Sequence, residues 1–106
     1  MLHTTLPLAR LFIGQRELRL THATLVVVAR HENPDLDWEI VAHTVEVEPL
    51  ARTVHELRFE AIVGLDGDHL ELVDLSGAAL VTRTHENAVV LRGNGPIHGF
   101  NPGLLT

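Results

Sequence analysis

The chain has 106 residues, with eight arginines, eight histidines and fourteen acidic residues, for a net charge of −6 with neutral histidines. Lysine, cysteine and tyrosine are absent and Ser76 is the one serine, which excludes Schiff-base, thiolate and phenol chemistry, disulfides and thiolate metal sites. What remains is chemistry by His, Asp, Glu and Arg, or function through contact alone.

From the N-terminus, strand signals dominate. Pro7 and Arg10 break the first apolar stretch, so it reads as a strand and not as a signal peptide. Gly14-Gln15 suits a two-residue hairpin with glycine in the first central position, a type II′ turn. Leu18 and Leu20 alternate with Glu17 and Arg19 beyond it. Val26, Val27 and Val28 follow without alternation, a pattern that requires cover on both faces. The polar run Glu32-Asn33-Pro34-Asp35 is a loop. The next strand changes parity: Trp38, Ile40 and Ala42 are apolar on even positions, Val45 and Val47 on odd ones. A β-bulge near Ala42 to Val45 accounts for such a switch. Leu50, Val54 and Leu57 have helical spacing, enough for one or two turns over 49–56. Leu57 to Leu65 alternates cleanly, Asp66-Gly67-Asp68 turns the chain, and Leu70 and Leu72 continue on the return strand. Ser76-Gly77 and Glu86-Asn87 read as further reversals.

These signals predict eight strands, at 6–13, 16–21, 24–31, 36–47, 56–65, 69–75, 78–85 and 88–92. Their rhythm is that of an all-β fold: a compact antiparallel β-sandwich or β-barrel with at most one short helical turn. One domain is expected over 1–92, followed by a Gly/Pro-rich tail over 93–106 packed on the domain or on a partner subunit. The stretch from Gly14 to Asn33 is echoed weakly from Gly67 to Asn87, a spacing that suits a duplicated unit.

Chemistry is sparse. The histidines show neither the H-x-H strand pair nor the H-E-x-x-H helix pattern, and no metal or other cofactor is expected. An acid–base site would draw on His43 with Glu39 or Asp37, beside Trp38 and Arg52 as ligand-holding groups. Negative charge and four scattered aromatics argue against nucleic acid, and no amphipathic helix argues for a membrane. The leading expectation is a non-enzymatic cytoplasmic module that acts through protein contacts, as a homodimer or other homo-oligomer or with another protein partner. Trp38, Arg52, Phe100, Leu104 and Leu105 are its candidate contact residues. The alternative is a small-molecule-binding barrel, or a lyase- or isomerase-type enzyme built on the His43 carboxylate pair. Protonating all eight histidines would raise the net charge from −6 to +2, so contact strength could respond to pH.

Overall fold

The computed structural model describes residues 1–106 and is all-β. β1 (Leu2–Ile13) turns into β2 (Arg16–Leu18), which resumes after Arg19 as β3 (Leu20–Ala29), and β4 (Asp37–Thr44) returns beside it. A second meander consists of β5 (Val54–Asp66), β6 (His69–His85) and β7 (Ala88–Gly93). The one helical element is a 3₁₀ turn at Pro102–Leu104.

All neighbours are antiparallel, and β1 pairs with β3 along its first half and with β5 along its second. With β4 against β7, the order β1-β3-β4-β7-β6-β5 closes on itself as a barrel, and β2 extends β3. Each meander supplies half the staves. The sequence echo maps onto this division, since Gly14 and Gly67 open equivalent hairpin turns at φ of +60° and +61°. Neither Gln15 nor Asp68 has positive φ, which makes both turns type II′.

Closure needs curvature, and irregularities supply it. Register shifts occur at Ala9, Thr21, Val63 and Thr82, each a place where one strand carries an extra residue. The shift at Ala9 moves the inward set of β1 from Leu6 and Leu8 to Leu11 and Ile13. Leu11, Leu25, Val27, Ile40, Phe59, Val81, Val89 and Leu91 then fill the interior.

Trp38 is the largest of these fillers. Its indole N–H donates to the Gly95 carbonyl at 3.0 Å, and its ring lies 5.7 Å from that of Phe59. A Cβ on Gly93 would sit 2.3 Å from the indole nitrogen, and one on Gly77 would sit 2.8 Å from the ring. Gly93 therefore admits the tryptophan, and Gly77 admits both the tryptophan and the Pro96 carbonyl, which a Cβ there would also approach to 2.8 Å.

Four sequence expectations are corrected by this packing. Ser76-Gly77 is not a turn: β6 runs unbroken through it, and Gly77 is small because Trp38 and the Pro96 carbonyl occupy its side-chain space. The strands accordingly number seven, with the early break at Arg19 and not near residues 22–23. β4 itself carries no extra residue near Ala42 to Val45; the register shift at that place lies on the opposite strand, at Thr21. β4 keeps one parity through Thr44 and then stops, leaving Val45 and Val47 exposed. Asn87 enforces that stop, because its side-chain amide donates to the Thr44 and Val45 carbonyls at 3.1 and 3.0 Å. Finally, no helix forms over 49–56, and β5 begins at Val54.

The tail belongs to this domain. Asn94 donates to Ala78, His98 and Ser76 exchange two backbone bonds, and Thr106 and His3 exchange two more. Phe100 and Leu104 pack under Val63 and Val73 around a hollow of ≈160 Å³.

Trp38→Ala should lower unfolding free energy by roughly 3–5 kcal/mol in a denaturant titration. Gly93→Ala should cost about 1–3 kcal/mol through overpacking, and unchanged stability would refute the seating described. Glu86, the one non-glycine residue at positive φ (54°), is held there beside Asn87. Glu86→Gly should therefore raise stability, by about 1 kcal/mol, whereas Asn87→Ala should lower it by about 1–2 kcal/mol.

Candidate protein interface

Alternation assigns one side chain in two to the outside of a barrel, and water selects polar groups there. The β3–β4–β7–β6 surface departs from that rule. Cross-strand partners share a face, so the registers lay this surface out in rows. His22, His43, Ala88 and His85 form one row; Thr24, Val41, Val90 and Arg83 the next; Val26, Glu39, Arg92 and Leu80 a third. Val28 and Asp37 begin a fourth. Val26, Val28, Val41 and Val90, each half-buried, thus make a β-branched patch on the outward side of the barrel. A shallow groove of ≈240 Å³ crosses its lower end, lined by Val26, Val28, Arg30, Asp37, Trp38, Glu39 and Arg92. The backbone bonds of the tail run to Ser76 and Ala78 of β6, just short of Leu80, and to His3 of β1.

The sequence-derived candidates scatter. His43, Glu39 and Asp37 all have outward parity on β4, so they share a face. His43 and Asp37 are nevertheless separated by roughly 20 Å of strand at ~3.3 Å per residue. Asp37 is engaged by Arg30 at 2.6 Å, and Glu39 lies between Val26 and Arg92. His43 stacks on His22, with ring centroids 4.1 Å apart and planes 18° apart. Its Nδ1 is buried without a hydrogen-bond partner, so no carboxylate orients the imidazole as a general base would require. Trp38 is inside the barrel, 3% exposed, with only its edge at the groove. Arg52 is exposed on the loop before β5. Phe100, Leu104 and Leu105 are half-buried against their own core.

Two features of the surface escaped sequence reasoning. One is the valine patch itself: Val26 and Val28 signalled it, but Val41 and Val90 join only through register. The other is Phe12, on the outer face of β1 beneath two guanidiniums, Arg10 at 4.8 Å and Arg58 at 4.5 Å from its ring centre. Arg10 also grips Glu17 through two hydrogen bonds of 2.8 Å. Those hydrogen bonds, aided by the arginine charge, hold the Glu17 carboxyl below its ordinary range against an opposing effect of desolvation.

The interior offers no lumen. Side chains fill the barrel, the segment at Gly95 closes one mouth over Trp38, and nearly buried Glu48, paired with Arg16, lies in the loop after β4. No group of three or more His, Asp or Glu side chains converges as a metal site would require. No helix is long and apolar enough to cross a membrane. No protein-family model, curated protein or solved structure matches the chain.

The Arg10–Glu17 pair makes a pH prediction. A lowered carboxyl pKa contributes stability above the unfolded value and loses it as pH falls through the folded value. The Glu17 side chain, followed by NMR, should titrate below the free value near ~4.3, and Arg10→Ala should return it there. An identical midpoint in both proteins would refute the coupling.

Proposed function

We propose that this chain is a non-enzymatic β-module that works through protein contacts in the cytoplasm and assembles as a homo-oligomer. The outer β3–β4–β7 face forms the contact between copies. One observation carries the reading: Val26, Val28, Val41 and Val90 stand together on the outward side of three hydrogen-bonded strands, where an isolated barrel would place polar groups.

Charge supports a second copy as the occupant. Two copies at −6 repel in general. This face is the exception, because Arg30, Arg83 and Arg92 outnumber Asp37 and Glu39 on and around the valines. An absence of cysteine suits a reducing compartment, where disulfides would contribute nothing. The filled barrel supports contact over catalysis, since a small-molecule site of ordinary size needs an enclosed, largely apolar pocket.

Sedimentation velocity across a concentration series tests this. The wild-type chain should associate at micromolar concentration. Val41→Lys and Val90→Lys should each weaken association by about tenfold or more, equivalent to ~1.4 kcal/mol or more. Lysine suits the purpose because its stem can lie along apolar surface while its ammonium stays in water, sparing the fold. A wild-type chain that stays monomeric to ~100 μM would overturn the proposal, since that bounds any affinity at the weak end of the specific range.

A further inference from the structure

The β5–β6 hairpin outruns the barrel. β1 accompanies β5 only from Leu57 to Ala61, and β7 accompanies β6 only from Ala79 to His85. Beyond them, residues 62–72 form a two-stranded arm joined at the Gly67 turn. The tail covers its inner side through Phe100 and Leu104. On the outer side, Ile62 faces Leu72 and Leu65 faces Leu70 across the ladder. Leu65, Leu70 and Leu72 are 70%, 53% and 49% exposed, among the most exposed large apolar side chains of the molecule. Acids bracket this block: Glu60 opposite Asp74 at the base, Asp66 and Asp68 at the tip.

Charge is distributed unevenly to match. From Phe59 to Thr82 the chain holds five acidic residues, Glu60, Asp66, Asp68, Glu71 and Asp74, and no arginine. The remainder of the chain is close to neutral. On the valine face, Arg83 stands beside Val90 and Arg92 beside Leu80, both exposed. Neither has a carboxylate within ion-pairing distance; the paired arginines are Arg10, Arg16, Arg19 and Arg30. One end of the molecule thus carries aliphatic side chains with two acids, Asp66 and Asp68, at its tip, while Glu60 at its base faces Arg10 across the β1–β5 ladder; another carries valines beside free arginines.

We infer that the acidic β5–β6 arm of one copy docks on the valine face of the next. This rests on the reading of that face as a contact between copies, and it names what covers it. A chain does not bring its own arm onto its own face, because Leu70 and Arg83 lie on one strand with a contour of roughly 40 Å between them at ~3.3 Å per residue. Acidic arms repel one another, so arm-to-arm pairing is disfavoured, as is face-to-face pairing that would oppose the free arginines. The contact is heterologous, joining two different surfaces, and it propagates into a ring or an open chain of subunits.

Complementation between two variants tests this. Leu65→Ser with Leu70→Ser disables the arm, and Val41→Lys disables the face. Asp68→Arg and Arg83→Glu, both at exposed positions, repeat the test by charge alone. The wild type should form species larger than a dimer, with association weakened as salt rises. Each disabled variant alone should sediment as a monomer, with affinity about tenfold or more weaker. An equimolar mixture of arm and face variants retains one intact arm and one intact face, so it should form a 1:1 dimer and nothing larger. An arm variant that assembles like wild type would overturn the arm as occupant while leaving the face as a contact. A mixture that stays monomeric would show a symmetric contact and overturn it likewise. A monomeric wild type would sink both readings.

Discussion

Leu8 and Arg10 to Ile13 of β1 pair with β5, and that short ladder turns two three-stranded meanders into one closed surface. Without it, β1 and β5 would each present an unpaired edge along much of their length, a template for uncontrolled association. With it, every stave of the barrel has two neighbours where the staves overlap. The inward side chains then face one another across a common axis and must fill it. The same closure leaves the outer surface as the place where the molecule can meet anything else.

Filling the axis is chiefly a matter of one large ring and two missing side chains. Trp38 points inward from the start of β4 and takes the space that Cβ atoms of Gly77 and Gly93 would claim. Its N–H, buried with it, finds the Gly95 carbonyl, so no polar cost is left outstanding. That bond also fastens the start of the tail over the barrel mouth. From there the tail runs beside β6, slips Phe100 and Leu104 beneath the projecting hairpin, and ends on β1 at His3. The hairpin is therefore supported on one side and bare on the other.

The outside of the barrel divides by charge and shape. A hairpin with exposed leucines and two acids at its tip projects at one end. A sheet of valines with uncompensated arginines lies at the far end of the same long strand, β6. Around Phe12, by contrast, Arg10 is held by Glu17, and Arg10 and Arg58 both lie over the ring.

Local periodicity was enough to establish extended structure, both glycine hairpins and the identity of most core positions, because strand alternation and turn chemistry act over a few residues. Leu57 to Ala61 and the turns at Gly14 and Gly67 show this, whereas the register shift at Val63 breaks the alternation and puts Leu65 outside. Gly77 was misread because a glycine required by a distant indole looks, in one dimension, like a glycine required by a turn. The parity change after Ala42 misled for a related reason: it marks the end of β4, imposed by Asn87 from another hairpin, and not a bulge within the strand. His43, Glu39 and Asp37 could be placed on one side of β4 by counting, but their separation and partners could not. The valine patch and the acidic hairpin lay beyond reach for the same cause. Which strands become neighbours, and hence which outward side chains form a surface, depends on register between segments far apart in the chain, and only the folded barrel settles that.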